Sequence, residues 1–222
     1  MNILRTIPIV ALIATATAAQ AGAVVNLSPG DFTSGLSGIK NSEFSELIGT
    51  VQSANYINFA IFGSDEGAAP LYEGMLLTSV VRSNMTGNLT FNYRILNPNP
   101  NLDGRISHIE VGGFEDWQTR VEYRNEATSP GVEGPYTAER NNLGDIIDFG
   151  FDGGLNTGDD SRFFFAMTDT DAFFADSALA TIYLETGESV SLVVDSANPA
   201  VPTPGALALL GCAGLLSSRR RR

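Results

Sequence analysis

The densest run of potential metal ligands in this 222-residue sequence lies between residues 145 and 171, which contain seven aspartates. Hard cations such as Ca²⁺ bind roughly six to eight oxygen atoms from carboxylates, amides and backbone carbonyls. A glycine-rich loop within the run could supply several of these oxygens, and its candidate ligands are Asp152, Asn156, Asp159 and Asp160. Their spacing differs from that of an EF-hand loop, and aspartates at strand ends also cap turns. Ca²⁺ binding and turn capping are therefore the two hypotheses for this loop, and calorimetry with Ca²⁺ separates them.

Histidine-dependent catalysis has a single candidate, because His108 is the only histidine in the chain. A histidine-rich metal site or a cysteine–histidine catalytic pair needs a second histidine or a cysteine side chain nearby. The only cysteine, Cys212, lies in the C-terminal apolar run. His108 belongs to an alternating segment in which it shares a strand face with Ile106 and Glu110. We therefore expect an ordinary strand histidine and no catalytic residue.

Two further chemistries are glycoside hydrolysis and glycan stacking, and for both the sequence does not show which residues lie together. A glycosidase needs one carboxyl group with a raised pKa and a second carboxyl group about 5–10 Å away, and the chain has twenty-five acidic residues. Glycosidase clefts usually contain several aromatic side chains, whereas Trp117 is the only tryptophan. Trp117 lies next to a turn, where a carbohydrate-binding sandwich often places a stacking aromatic residue, although a core position is the alternative. We expect no enzyme and keep Trp117 as a candidate for glycan stacking.

The elements that would position these residues are short strands. Leu89, Phe91, Tyr93 and Ile95 alternate with polar residues, which is typical of a strand with one buried and one solvated face. Glycine, proline, asparagine and aspartate separate this segment from others like it. The predicted strands cover residues 24–27, 56–62, 75–82, 88–96, 105–111, 118–124, 145–151, 162–168, 178–184 and 188–195.

This pattern predicts an all-β fold. The segments follow one another at intervals of about 8–15 residues, and no helical run is long enough for the crossovers of a parallel sheet. A helical turn or two is expected at residues 43–51, where apolar residues recur at the spacing of one helix face. We therefore predict an antiparallel β-sandwich, with Greek-key or jelly-roll-like connections, over residues 22–198.

The distribution of charge argues against some classes of binding partner. Residues 22–198 hold all twenty-five acidic residues but only eight of the thirteen basic ones, which gives a net charge of about −17. Nucleic acids and anionic lipid surfaces repel such a domain, so we expect no nucleic-acid partner. Divalent cations and neutral or basic polymers are compatible with it. Because this region has no cysteine, disulfide bonds and thiolate metal sites are excluded there.

The N-terminus, residues 1–21, has the features of a secretory signal peptide. Arg5 provides positive charge, and residues 7–13 form an apolar core. Ala19 and Ala21 are small residues at the positions that signal peptidase reads, so cleavage is expected before residue 22. The apolar run is too short for the alternative, a transmembrane helix.

The C-terminus consists of three segments of different character. A proline-rich linker covers residues 199–204, and residues 205–218 are uncharged and could form an apolar helix. Such a helix would be about 21 Å long, against roughly 30 Å for the hydrocarbon core of a bilayer, so it is a poor permanent anchor. The linker ends in Val201, Pro202, Thr203 and Pro204. The chain ends in a basic cluster that would stop translocation, Arg219, Arg220, Arg221 and Arg222.

This order of segments resembles the PEP-CTERM sorting signal of exported bacterial proteins. In that family a membrane protease, exosortase, recognises and removes the signal, and a glutamate stands between the two prolines. Here Thr203 occupies that position. The resemblance implies signal peptidase and an exosortase-like protease as partners. It also implies transient anchoring in the membrane, and then a location on the cell surface or outside the cell. A plain tail anchor and a fortuitous tail are the alternatives.

The resemblance associates such proteins with exopolysaccharide and the biofilm matrix. We therefore expect an exported, non-enzymatic surface or matrix protein. A carbohydrate- or Ca²⁺-binding β-sandwich is the competing function class, and no cofactor is expected beyond the candidate Ca²⁺. Glycan binding by the protein, repeated with Trp117→Ala, would separate the two classes.

Overall fold

The computed structural model describes residues 23–65, 67, 69–97, 99–127 and 131–198. Over these residues the chain forms twelve strands and one short 3-10 helix, which confirms the predicted all-β class. The strands are β1 Val25–Asn26, β2 Phe32–Ser34, β3 Gly49–Phe62, β4 Pro70–Ser83, β5 Leu89–Leu96, β6 Arg105–Gly112, β7 Thr119–Tyr123, β8 Thr137–Arg140, β9 Ile146–Asn156, β10 Phe164–Thr168, β11 Phe174–Leu184 and β12 Ser189–Ser196.

The strands form two antiparallel sheets of six strands each, arranged like a sandwich. In the first sheet the order is β1-β7-β10-β5-β4-β3, and in the second sheet it is β12-β11-β6-β9-β8-β2. Alternate side chains of both sheets point into one apolar core, as the period of two in the sequence predicts. Aromatic rings fill its centre: Phe91 packs edge-to-face on Phe114, and Tyr93 stacks on Phe164.

A second, smaller core lies on the outer side of the first sheet. The prediction of a solvated face on β5 is wrong, because its polar side chains Thr90, Asn92 and Arg94 are buried. Ile39 and Leu47, from the segment before β3, are buried against Phe165 and Met167 of β10. Within this segment the 3-10 helix covers only Ser45–Leu47, so the predicted helical turns over residues 43–51 are wrong beyond one short turn. The reason is that β3 begins at Gly49 and continues the pairing with β4 for fourteen residues.

Two strands lie in segments that the sequence predicts as loops. β2 and β8 pair with each other, and β8 extends the second sheet from β9. β8 has only four residues and occurs inside a stretch rich in glycine and proline, so its short pattern does not stand out from the loop around it.

A bulge in β9 changes the side-chain pattern near the predicted acidic loop. Gly153 and Gly154 both have positive φ, at 72° and 74°, and they lie inside β9 instead of ending it. The register with β6 shifts there, between the Ile106–Leu155 pair and the His108–Gly150 pair. As a result Ile106 is fully buried and His108 is half-buried on the other face, so the prediction that they share a face is wrong.

The predicted ends of the chain lie outside the described residues. They comprise the signal peptide at residues 1–21, the sorting motif at 201–204 and the apolar helix with its arginine tail at 205–222. No helix in the described part of the chain is long and apolar enough to cross a membrane.

Candidate functional site

Polar side chains collect on the outer face of the second sheet, where four strands run side by side. Two neighbouring rows of cross-strand partners form this patch, which we call the outer-face cluster. One row contains Glu139, Asp148, Glu110 and Thr181, and the next contains Thr137, Gly150, His108 and Tyr183. Apart from the buried Arg140, the residues that alternate with them toward the core are apolar, so the strand alternation itself holds the polar set on the outside.

Three side chains of the cluster converge on one point. His108, Glu110 and Asp148 each present a ligand atom, and these atoms all lie within 4.8 Å of one another. In the part of the chain that the structure describes, this is the only such group of three. The His108 Nε2 atom lies 4.0 Å from Asp148 Oδ2, too far for a hydrogen bond. About a third of each of these two side chains is exposed, so the point is reachable from solvent.

Neighbouring residues hold the imidazole of His108 in place. The ring of Tyr183 stacks on it with 4.4 Å between centroids, and the Tyr183 hydroxyl donates a hydrogen bond to Glu110 Oε2 at 2.9 Å. The Ser107 hydroxyl lies 2.8 Å from His108 Nδ1 and donates to the Tyr183 carbonyl oxygen at 3.2 Å. The two contacts fit the tautomer in which Nδ1–H donates to Ser107 Oγ while the Ser107 hydroxyl donates to the carbonyl. That tautomer leaves Nε2 without a hydrogen, as a metal ligand requires.

The surroundings of Asp148 disfavour the charged form of its carboxyl group. The pKa of Asp148 is raised to about 6, chiefly by burial; His108 lowers it, whereas Glu110 and Glu139 raise it by repulsion. The Asp148 Oδ1 atom is buried and has no hydrogen-bond partner among the described residues. An imidazole nitrogen and an under-compensated carboxylate therefore face each other at 4.0 Å without a hydrogen bond between them.

A shallow depression of about 310 Å³ adjoins the cluster. Glu110 lines it together with the exposed apolar surface of Ile146 and Leu179. On the other side of His108, Gly150 has no room for a side chain, since a Cβ atom there would come within 2.4 Å of Thr137 Oγ1. The cluster is therefore open to a ligand larger than an ion.

No protein-family model matches this chain, and no curated protein or solved structure shows significant similarity to it.

The aspartates predicted as Ca²⁺ ligands have other contacts. Asp160 accepts hydrogen bonds from Arg94 Nη2 at 2.8 Å and from the Asn97 backbone at 2.9 Å. Asn156 donates to Asp159 at 3.3 Å, and Asp152 is exposed in the β9 bulge. Over residues 131–198 the three aspartates do not form a group like that around His108. The structure thus assigns these residues roles in turns and an ion pair, and Ca²⁺ binding stays a prediction.

Trp117 lies at one end of the sandwich and is half-buried against the main core. Its Nε1 atom donates a hydrogen bond to the Asn198 side chain. It also lines a surface depression of about 510 Å³ with Gln118 and Leu143, and the buried Arg140 contributes to the lining. Trp117 therefore lies partly in the core and partly at the surface, the two alternatives that the sequence left open. Glycan stacking stays a prediction.

Sequence reasoning missed the cluster itself. His108 and Glu110 share a strand face, which the alternation indicates, but Asp148 comes from a strand forty residues away in the sequence. Only the pairing of β6 with β9 brings Asp148 opposite Glu110. The one available signal was that Asp148 alternates with the core residues Ile147 and Phe149, which places its side chain on the outer face.

Proposed function

We propose that this chain is an exported surface or matrix protein whose β-sandwich binds a divalent metal ion of the zinc class at His108, Glu110 and Asp148. The observation that carries the metal site is the 4.0 Å approach of His108 Nε2 to Asp148 Oδ2 without a hydrogen bond, with the Ser107 hydroxyl placed to hold the other ring nitrogen. Two ligand atoms on a tetrahedral zinc ion stand about 3.4 Å apart, given metal–ligand distances of about 2.1 Å. A cation between the two groups would satisfy both.

The donor set favours zinc over calcium. Imidazole nitrogen suits Zn²⁺ and its neighbours in the transition series, whereas Ca²⁺ prefers oxygen ligands in larger number. Three protein ligands leave a fourth position free for water or for a group from a second molecule, which is the arrangement of an open zinc site. Ser107 holds the second nitrogen of the ring, as outer contacts of metal-bound histidines do.

Export is supported by the two chain ends and by the charge of the domain. The predicted cleavage after Ala21 and the Val201–Pro204 linker flank the strands, the first of which starts at Val25 and the last of which ends at Ser196. In this proposal signal peptidase and an exosortase-like membrane protease act on the ends, and the released domain associates with exopolysaccharide. A net charge of about −17 opposes nucleic-acid binding and attracts cations.

The domain acts in this proposal by binding and not by catalysis, and measured turnover of a polysaccharide would contradict that part. Seven of the eleven connections between the described strands pass from one sheet to the other, which favours the predicted Greek-key or jelly-roll-like connectivity.

The second candidate function is carbohydrate binding at Trp117, favoured by its position on the 510 Å³ depression.

Isothermal titration calorimetry tests the metal site. Zn²⁺ should bind the purified exported protein with one site per chain, and His108→Ala should lower the affinity by at least about 100-fold because one of three ligands is lost. Asp159→Asn is the matched control, since it removes a predicted Ca²⁺ ligand and leaves the outer-face cluster intact. Zn²⁺ binding that survives His108→Ala, or that is lost in the control, would overturn the assignment.

A further inference from the structure

The four strands at the sheet edges differ greatly in length. The first sheet ends in β1, with two residues, and β3, with fourteen, whereas the second sheet ends in β2, with three residues, and β12, with eight. β3 pairs only with β4 among the described strands, so its other side carries a row of backbone groups without a strand partner. From Ser53 to Ile61 the register with β4 is uninterrupted over nine residues.

Between the two register shifts with β4, at Val51/Ser53 and Ile61/Phe62, β3 lacks the features that usually protect an exposed edge. Natural edge strands carry charged residues or proline, or remain short, to prevent pairing with other chains. Gly49–Phe62 contains no charged residue and no proline, although the chain has thirty-eight charged side chains. Three large apolar side chains on this strand are exposed by more than half, namely Val51, Tyr56 and Phe62.

We propose that β3 is a self-association edge, at which two copies of this chain pair their β3 strands antiparallel about a two-fold axis. The two first sheets would then form one continuous sheet of twelve strands. An antiparallel strand pair of this kind is closed by its symmetry, so it produces a dimer and not a filament.

Charge is the reason to assign a second copy as the occupant. Two domains of about −17 each repel, and the fourteen neutral residues of β3 are where they can approach at least electrostatic cost. Every residue of the strand meets an uncharged residue of its copy in any register, so no charge becomes buried or faces a like charge. The partner strand also has the same length. Neither the metal site nor the sorting signal is needed for this inference.

Sedimentation equilibrium of the purified exported protein tests the proposal. The wild type should show a reversible monomer–dimer equilibrium that strengthens with added salt, because salt screens the repulsion between the two domains. The variant Tyr56→Lys/Asn58→Lys places like charges on both strands and should raise the dissociation constant at least about tenfold. Val132→Lys/Leu143→Lys is the control, because both of its sites are exposed, apolar and away from β3 and the change in charge is the same.

Hydrogen exchange of the amides of residues 53–61 keeps the test decisive if the lysine variant misfolds. In the wild type these amides should become more protected as protein concentration rises, while amides of β11 remain constant. A wild type that is monomeric at about 100 μM, where even weak dimers form, overturns the proposal. Open-ended polymers, or a lysine variant that dimerises as well as the control, overturn it equally. A tail from the same chain covering β3 would give protection independent of concentration, and that outcome also counts against it.

Discussion

At the scale of single residues, the candidate metal site depends on the contacts that hold His108 in one orientation. Ser107 is placed to accept the Nδ1 hydrogen of the metal-binding tautomer, and Tyr183 covers the ring and donates to Glu110. These residues bind no metal themselves in our account. They reduce the freedom that the imidazole and the Glu110 carboxylate would otherwise lose on binding.

Ser107→Ala tests this positioning role. Without the hydroxyl, the Nδ1 hydrogen loses its acceptor and the ring can adopt the other tautomer, so Zn²⁺ affinity should fall by about 10-fold or more while the site stays intact. Calorimetry with Zn²⁺ measures the change. Ser191→Ala, which removes an exposed hydroxyl bonded to Thr181, should leave the affinity unchanged. Equal losses in the two variants would argue against a specific role for Ser107.

Asp148→Asn should abolish Zn²⁺ binding and at the same time stabilise the fold. Burial and the repulsion of Glu110 and Glu139 disfavour the charged form of Asp148, whose pKa lies near 6 in the folded chain and near 4 when unfolded. Removing the charge should stabilise the metal-free domain at pH 7 by about 1 kcal/mol, a figure reduced for the partial exposure of the side chain. The corresponding rise in Tm is about 2–4 °C. Zn²⁺ binding should be lost in the same variant, and a destabilised variant would contradict the pKa.

The stability of the domain and its Zn²⁺ affinity should both depend on pH through the carboxyl group of Asp148. Its folded pKa is raised, so the stabilising contribution of Asp148 is present below about pH 4 and is lost as pH rises through about 6. The metal competes with that proton, and Zn²⁺ affinity should therefore fall as pH drops below about 6. Zn²⁺ titrations of the wild type between about pH 5 and 7 measure this effect. An affinity that is constant over this range would mean that Asp148 is not a ligand.

At the scale of elements, strong alternation made most strands predictable. Residues 89–96 alternate with a period of two, and the strands predicted at 88–96 and 105–111 agree with β5 and β6 within one residue at each end. β2 and β8, with three and four residues, are too short to show a period at all. β3 begins seven residues before its predicted start, because its N-terminal half is polar and exposed and its pairing with β4 extends it.

The candidate site was less predictable than the strands, for a physical reason. Alternation tells which side chains share a face of one strand, but strand order is decided by long-range pairing. β6 and β9 are separated by two other strands in the chain, and the Gly153–Gly154 bulge shifts their register beside His108. Without that pairing, Asp148 could not be connected with His108.

Arg140 links several elements at the Trp117 end of the sandwich. Its guanidinium is buried and donates hydrogen bonds to the backbone carbonyls of Leu27, Phe114, Trp117 and Gly144. Arg140→Met should leave these acceptors without donors and lower the free energy of unfolding by about 3 kcal/mol or more. Urea denaturation measures this loss.

Arg105→Met is the matched control for Arg140→Met. The Arg105 side chain is nearly half exposed, and its contact with Glu185 is 3.7 Å long. Its replacement should therefore cost less than about 1 kcal/mol. Similar losses in both variants would show that the buried carbonyl contacts are not what stabilises this end of the domain.

At the scale of the whole molecule, we propose that signals at the two ends of the chain deliver an acidic two-sheet domain outside the cell. Mass spectrometry of the protein recovered from the cell exterior tests the delivery. The N-terminus should be residue 22, because Ala19 and Ala21 direct cleavage there. The C-terminus should lack Arg219–Arg222. A tail anchor without processing predicts an intact Arg222, and that result would remove the sorting hypothesis.

The central claim is that the outer face of the second sheet holds a metal ion between β6 and β9. Anomalous diffraction at the zinc absorption edge, from crystals of the exported protein grown with Zn²⁺, tests it most directly. We predict one peak about 2.0–2.2 Å from His108 Nε2 and from carboxylate oxygens of Glu110 and Asp148. A peak among Asp152, Asp159 and Asp160 instead, or no peak at His108, would contradict the account.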